Sequence, residues 1–184
     1  MNKLILIRYC MVALLAGIFS LGQLSFADDG DSQYQLGSGD IISIQVYGEE
    51  ELNFDQILLT DAGTVSFPFL GEVGAKGKTA KQLENIIILG LKDGYLINPK
   101  VTVSVIEYRS FFVNGEVKEP GGYPFQPGLT LRKAIAVSGG LTERASKTKI
   151  FVIRDRDPDK QPQKISMDAP INPGDIVTIE QSFF

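Results

Sequence analysis

The chain contains 184 residues, with 18 Lys and Arg against 22 Asp and Glu, one Cys and no His. This acidic balance, without any basic run, argues against a nucleic-acid partner. The lack of His excludes Ser-His-Asp and Cys-His catalysis and His-containing zinc sites, whereas hydrolysis by paired carboxylates stays open because Asp and Glu are plentiful.

Residues 1–27 have the pattern of a cleavable secretory signal peptide. Lys3 and Arg8 supply the positive start, residues 9–21 supply the apolar stretch, and Ser25-Phe26-Ala27 is a small-x-small cleavage site. The alternative is an uncleaved transmembrane anchor, but this apolar stretch is short for a spanning helix of about 20 residues. We therefore expect secretion, with a mature chain that begins at Asp28.

The single cysteine argues against a lipoprotein. Cys10 lies at the start of the apolar stretch, directly after Ile7-Arg8-Tyr9, whereas a lipid-modified cysteine should follow the apolar core behind small residues. Cleavage after Ala27 would leave a mature protein without thiols, which suits an oxidising periplasm.

Short strands and one long helix are predicted in the first half of the chain. The alternating segment from Ile41 to Tyr47 predicts a strand with one buried face. Further strands are expected at Ile57-Leu58-Leu59 and Thr64-Val65-Ser66-Phe67, around the turn Asp61-Ala62-Gly63, and from Val101 to Val105.

The long helix is predicted to begin after Thr79, with Gln82 placed to complete a capping box. Leu83, Ile86, Ile87 and Leu91 fall on one helical face. Strands and a helix in this mixture indicate an α+β domain.

Two turn signals and a short helix are predicted in the second half. Glu119-Pro120-Gly121-Gly122 is typical of a type II turn, with Gly at the position that needs a positive φ. After a second turn at Pro127-Gly128, Thr130 is the candidate N-cap of a two-turn helix over residues 131–137. Ser138-Gly139-Gly140 should end that helix, and a strand follows at residues 150–154.

A turn, an Asp and a strand occur in the same order twice. Ser38-Gly39-Asp40-Ile41 and Pro173-Gly174-Asp175-Ile176 each place an Asp directly after a turn glycine. Reuse of ordinary turn chemistry is favoured over common ancestry as the explanation, because Asp and Gly suit such positions independently of ancestry. We expect both carboxylates to bind backbone N–H groups of their turns. Between the strands, the charged run at residues 154–160 is expected to be a solvated hairpin connection.

No pattern in the sequence assigns a catalytic, cofactor or metal site. Gly37-Ser38-Gly39 lacks the third Gly and the following helix of a phosphate-binding loop, so we interpret it as a turn. Glu49, Glu50 and Glu51 could bind a cation with Asp55, but EF-hand spacing is absent.

Other candidates are equally unspecific. Glu116 and Glu119 flank the predicted turn, and spacing alone does not make them an acid/base pair. A cluster of aromatic residues can either stack on sugar rings or fill a small β core, and the core role is favoured. The cluster comprises Tyr108, Phe111, Phe112, Tyr123 and Phe125. The ligand-binding residues stay unassigned.

Several motifs, in a fixed order, resemble those of a known family. The segments V-N-G-E-V from Val113, P-G-G-Y from Pro120, L-T-L from Leu129 and S-G-G-L from Ser138 are similar to the SLBB domain, a soluble ligand-binding β-grasp. Upstream, residues 34–44, 61–73 and 98–103 resemble the polysaccharide biosynthesis/export domain. The resemblance therefore implies an α+β export domain at residues 28–109 and a β-grasp-like SLBB domain at residues 110–184.

This resemblance is to outer-membrane polysaccharide export proteins of the Wza type, and it implies a non-enzymatic role without cofactors. The expected protein is a periplasmic or outer-membrane ring of identical subunits through which capsular or extracellular polysaccharide leaves the cell. Its expected partner is an inner-membrane polysaccharide co-polymerase, or chain-length regulator, with a cytoplasmic tyrosine-kinase-like component.

The sequence departs from the larger family members near its C-terminus. It has one SLBB-type segment, and Pro170 and Pro173 interrupt any terminal helix. We therefore expect a separate outer-membrane β-barrel as a further partner. The alternatives are a monomeric periplasmic module that binds a soluble glycan and a carboxylate-dependent glycan hydrolase.

Overall fold

The computed structural model describes residues 32–182. The predicted signal peptide, Cys10 and the cleavage site lie outside the described residues. The elements, in chain order, are β1 (Ile41–Val46), a 3-10 helix (Glu50–Leu52), β2 (Phe54–Leu58), β3 (Thr64–Phe67), β4 (Gly71–Gly74), α1 (Ala80–Lys92), β5 (Val101–Glu107), β6 (Phe111–Gly115), β7 (Gly121–Tyr123), α2 (Leu131–Val137), β8 (Ala145–Ile153), β9 (Gln163–Lys164) and β10 (Ile176–Gln181).

Within the predicted first domain, residues 28–109, the structure has an antiparallel sheet of order β2-β1-β5 and a separate β3-β4 hairpin. Both strands predicted around the Asp61-Ala62-Gly63 turn exist, although the first runs from Phe54 to Leu58. They pair with other strands and not with each other, because β2 adds to β1 while β3 returns along β4.

Helix α1 closes the first core as its sequence predicts. Thr79 Oγ1 accepts from the Gln82 backbone N–H at 3.2 Å, and the Gln82 side chain accepts from the Thr79 N–H at 3.0 Å, so the capping box is confirmed. Leu83, Ile87 and Leu91 are buried. Ile86 was expected on the same face but is 36% exposed, since the buried stripe follows the i, i+4 row.

Within the predicted second domain, residues 110–184, the structure has a mixed sheet of order β7-β6-β10-β8-β9. Strand β10 runs parallel to β6 and antiparallel to β8. Helix α2 has the predicted bounds, and it buries Leu131, Ala134 and Ile135. Gly139 and Gly140 end it with φ of 78° and 87°, as expected for left-handed residues after a helix.

Two local predictions for the second domain are wrong in detail. Thr130 is the N-cap of α2 but makes no side-chain capping bond. The predicted type II turn at Glu119–Gly122 is absent, because Gly121 and Gly122 belong to strand β7 and neither has a positive φ. The chain reverses instead through residues 116–120, between β6 and β7. Gly115, the last residue of β6, has φ 86°, and an added Cβ there would lie 2.0 Å from the Ile179 carbonyl oxygen.

Each domain has its own hydrophobic core. The buried cluster of the first domain extends from Leu36 to Val103, and that of the second extends from Phe111 to Ile179. Sheets and helices in both confirm the predicted α+β class. No helix within residues 32–182 combines the length and the apolar character needed to cross a bilayer.

Candidate functional site

A buried carboxylate lies where the two domains meet. Asp40 is fully buried and follows Gly39, whose φ of 94° shapes a tight turn. Its carboxylate accepts from the Gly37 backbone N–H at 2.7 Å, the Arg109 backbone N–H at 2.8 Å and the Tyr34 hydroxyl at 2.6 Å. The prediction that Asp40 binds backbone N–H groups of its turn is confirmed.

The second turn–Asp motif has the same local geometry. Asp175, 1% exposed, follows Gly174 at φ 82°. Its carboxylate accepts from the Asn172 backbone N–H at 2.8 Å, the Asp155 backbone N–H at 3.2 Å and Arg154 Nη1 at 2.6 Å. In both motifs the partners are the backbone N–H three residues earlier, a backbone N–H beyond the end of the neighbouring strand, and an arginine.

Arg109 connects the two domains through its side chain. Its Nη1 lies 3.1 Å from Asp40 Oδ2 and 2.6 Å from the Tyr34 hydroxyl, while Nη2 lies 2.9 Å from Asp155 Oδ2. Its side chain is 12% exposed. Gly37 makes room for it, because an added Cβ there would lie 2.5 Å from Nη1. The guanidinium therefore pairs with one acid from each domain.

The electrostatics of the junction stabilise neutral Tyr34 and charged Arg109. Burial, followed by the hydrogen bond to the Asp40 carboxylate, raises the pKa of Tyr34 above its ordinary value. Burial opposes the charge on Arg109, but the acidic groups of Tyr34, Asp40 and Asp155 outweigh it and raise the pKa of Arg109. Tyr34 is thus a neutral donor and Arg109 a permanent cation.

The charged run after β8 supplies a further contact between the domains. Arg156 Nη2 donates to the Gln35 carbonyl at 3.0 Å, and its guanidinium carbon lies 5.6 Å from the Tyr34 ring centroid, within cation–π range. The run does connect β8 to β9. Its description as a merely solvated loop is wrong for Asp155 and Arg156, which bind the first domain.

Arg109 and Asp155 also line a pocket of about 450 Å³ at this junction. Both domains contribute to it, with Gln35, Gly37, Ser38 and Lys76 from the first and Arg156 and Lys160 from the second. Gly37-Ser38-Gly39 is the turn that the sequence predicts, and its Gly37 and Ser38 line this pocket.

The acidic candidates do not come together. Glu49, Glu50, Glu51 and Asp55 are all exposed on or beside the 3-10 helix. Within residues 32–182, no group of three or more Cys, His, Asp or Glu side chains is placed to hold a metal ion.

Glu116 and Glu119 have separate environments. The Glu116 carboxylate accepts a hydrogen bond from the Thr142 hydroxyl. Glu119 is exposed, and its backbone carbonyl accepts from the Tyr123 hydroxyl. The structure thus gives Glu116 a structural partner in the chain segment that follows α2.

The aromatic candidates divide between core and junction. Phe111 is fully buried, and Tyr123 and Phe125 pack half-buried against the second core. Tyr108 instead makes edge contacts with Tyr34, at 4.8 Å between ring centroids, and with Phe125, at 5.4 Å. Phe112 is 45% exposed.

Comparison with known families agrees with this two-domain arrangement. Residues 28–106 match the family described as polysaccharide biosynthesis/export protein, and residues 110–165 match the SLBB domain. Together the two matches cover most of the chain in the predicted order. The chain belongs to the polysaccharide biosynthesis/export family, with an SLBB domain after the export domain.

Curated relatives support the assignment. The exopolysaccharide production protein ExoF of Rhizobium meliloti is 30% identical over 72% of this chain and 34% of its own length. The EPS I polysaccharide export outer membrane protein EpsA of Ralstonia nicotianae is 29% identical over 80% of this chain and 47% of its own length. The polysialic acid transport protein KpsD of Escherichia coli is 30% identical over 66% of this chain and 22% of its own length. The chain thus spans less than half the length of these relatives.

Proposed function

We propose that this protein is a non-enzymatic component of a machinery that exports capsular or extracellular polysaccharide across the outer membrane. The observation that carries the proposal is the order of the two domains, an export domain followed directly by an SLBB domain. The relatives described above are named for the production, export or transport of polysaccharides. The junction supports a scaffold role, since Arg109 pairs with acids of both domains and the described domains form one compact unit.

The working form in this proposal is a ring of identical subunits that encloses a passage for the polymer. A cyclic assembly needs two different patches on each subunit, one for each neighbour, and a two-domain subunit offers such separate surfaces. Light scattering of the mature protein is expected to give a closed oligomer. A stable monomer that binds short glycans tightly would favour the alternative, a periplasmic glycan-binding module.

Deletion of the gene in its own bacterium tests the function. We expect extracellular polymer to fall while polymer accumulates inside the cell, because synthesis continues without an exit. Re-expression of the wild-type chain should restore secretion. Unchanged secretion in the deletion strain would contradict the proposal, and breakdown of the polymer by the purified protein would contradict its non-enzymatic part.

We also propose where in the cell the protein is located. Cleavage after Ala27 would release a mature chain into the periplasm, with attachment at the outer membrane through its assembly and without a lipid on Cys10. Mass spectrometry of the cellular protein should find Asp28 at the N-terminus. The co-polymerase and the separate outer-membrane barrel stay predictions, to be tested by cross-linking in intact cells.

A further inference from the structure

The junction pocket is basic although the chain as a whole is acidic. The formal net charge of the chain is −4 at pH 7. The pocket of about 450 Å³ contains four basic side chains and one acidic side chain, which are Lys76, Arg109, Arg156, Lys160 and Asp155. An acidic protein repels an anionic polymer at long range, so contact with one requires a local basic site of this kind.

Two of the four cations already have anionic partners. Arg109 is paired with Asp40 and Asp155. Lys160 Nζ lies 3.6 Å from Asp155 Oδ1 and also donates to the Asp155 carbonyl. These contacts neutralise Asp155, so the acid does not cancel the other two cations.

Lys76 and Arg156 remain able to bind an anion. In the part of the chain that the structure describes, Lys76 is exposed and forms no ion pair. Arg156 donates Nη2 to the Gln35 carbonyl, and a guanidinium has further N–H donors in the same plane. A carboxylate matches such a planar donor set.

The walls of the pocket have two further unusual features. Ser38 Oγ is buried and has no hydrogen-bond partner within the described residues, although buried hydroxyls are normally satisfied. Lys160 is a non-glycine residue at φ 50°, a backbone conformation that costs about 1–2 kcal/mol and that tends to persist at ligand sites.

An aromatic groove adjoins the basic pocket through Arg156. This groove, of about 360 Å³, is lined by Tyr34, Tyr108 and Phe125 together with Arg156. Aromatic faces pack against apolar ring surfaces while a neighbouring cation binds a charged substituent. A sugar ring that carries a carboxylate presents both features.

We propose that this junction binds an acidic sugar residue of the exported polymer, with the carboxylate at Lys76 and Arg156 and the ring toward the aromatic groove. The inference rests on the proposed export function and adds the class of substrate. The junction then holds the two domains together and contacts the passing polymer.

The test uses the mature chain and two matched oligosaccharides, tetraglucuronic acid and the same tetramer after reduction of its carboxyl groups. Calorimetry should give an affinity for tetraglucuronate at least about tenfold above that for the reduced tetramer, the loss expected when a charge-assisted contact is removed. The binding should weaken as salt rises. Equal affinity for the two tetramers would overturn the proposal, and so would tighter binding of inorganic phosphate than of tetraglucuronate.

Lys76→Gln is the decisive variant, because Lys76 is exposed and its replacement leaves the Arg109 cluster intact. We expect about a fivefold to tenfold loss of tetraglucuronate affinity, with unchanged circular dichroism. Lys147→Gln is the control. Lys147 is also an exposed lysine, but it lies within β8, eight residues before Asp155 in sequence. Loss of the same size in both variants would refute the assignment to the pocket.

The outcomes separate this inference from the export function. Export of a neutral polymer by this protein in cells, with no preference for tetraglucuronate in vitro, would leave the export function in place and remove the acidic-sugar site. Specific tetraglucuronate binding together with unchanged secretion in the deletion strain would support the site and contradict the export function.

Discussion

The two turn–Asp motifs use the same local chemistry for different ends. Asp40 and Asp175 both follow a left-handed glycine, and each accepts from the backbone N–H three residues earlier. The difference lies in the arginine. Arg154 extends from Asp175 to the Pro170 carbonyl within its own domain, whereas Arg109 extends from Asp40 to Asp155 in the other domain.

The turn and the arginine have separate roles in each motif. The turn fixes where the carboxylate lies and which backbone groups it satisfies. The arginine decides whether the same carboxylate closes one domain or joins two. Tyr34 adds a further donor to Asp40, so the junction motif is the more heavily bonded of the two. The expected effects of substitution differ accordingly.

Replacement of each Asp by Asn should give the largest losses of unfolding free energy, and the loss should be greater at Asp40 than at Asp175. Asp40→Asn places an amide donor against Arg109 and Tyr34 and leaves the guanidinium with Asp155 alone, which should cost about 2–4 kcal/mol of unfolding free energy. Asp175→Asn should cost about 1–3 kcal/mol, since Arg154 is 22% exposed and can reach water.

Urea unfolding followed by circular dichroism measures both variants, since the chain has no Trp for fluorescence. Equal losses in the two variants would show that the connection between the domains adds nothing to the junction motif.

Gly37→Ala tests the close approach of Arg109 to the turn. The new methyl would lie 2.5 Å from Nη1, so the guanidinium that Asp40 and Asp155 hold in place would have to shift. We expect a loss of about 1–3 kcal/mol of unfolding free energy. Gly74→Ala is the matched control, because its Cβ meets nothing within 4 Å and its φ is not positive. Two variants of equal stability would contradict the crowding at Gly37.

Alkaline pH probes the phenol that only the junction motif has. Because the pKa of Tyr34 is raised in the folded protein, its stabilising contribution is complete below the ordinary tyrosine pKa of about 10 and falls as pH rises above it. The wild type should therefore lose up to about 1.4 kcal/mol per pH unit more than Tyr34→Phe above pH 10. Parallel stability curves for the two proteins between pH 8 and 11 would rule out this role for Tyr34.

Asp155→Asn should have the smallest effect on stability, but it should selectively weaken the connection between the domains. The Asp155 side chain is 40% exposed, so its loss should cost only about 0.5–1 kcal/mol. Protease sensitivity of the segment around Ser110 should nevertheless rise. Asp168→Asn, which removes the exposed Arg132–Asp168 pair inside the second domain, should leave that segment protected. Identical digestion patterns would argue against a connection through Asp155.

Local signals in the sequence predict much of this fold. The capping box of α1, the bounds of α2 and the roles of Asp40 and Asp175 all follow from residues within a few positions of one another. The predicted turn at Glu119–Gly122 is wrong because contacts with another strand, and not the local residues, decide the structure of this segment. Its Pro-Gly-Gly pattern fits a turn, but pairing with Phe112 and Val113 draws Gly121 and Gly122 into strand β7.

The candidate site is less visible in the sequence because its contacts are long-range. Arg109 lies 69 residues from Asp40 and 46 from Asp155, and no periodic pattern relates them. One signal does exist. Each turn–Asp motif is followed directly by a strand, and the antiparallel neighbour of that strand ends shortly before the arginine. This neighbour ends at Glu107 in the first domain and at Ile153 in the second. The repeated motif therefore indicates where each buried carboxylate meets its cation.

Secretion by the gene-deletion strain carrying Arg109→Met tests most directly whether the joined domains serve polysaccharide export. Wild-type protein should restore extracellular polymer, whereas Arg109→Met, at equal protein level by immunoblot, should leave the polymer inside the cell. Full secretion with Arg109→Met, or normal secretion without any copy of the gene, would contradict the account.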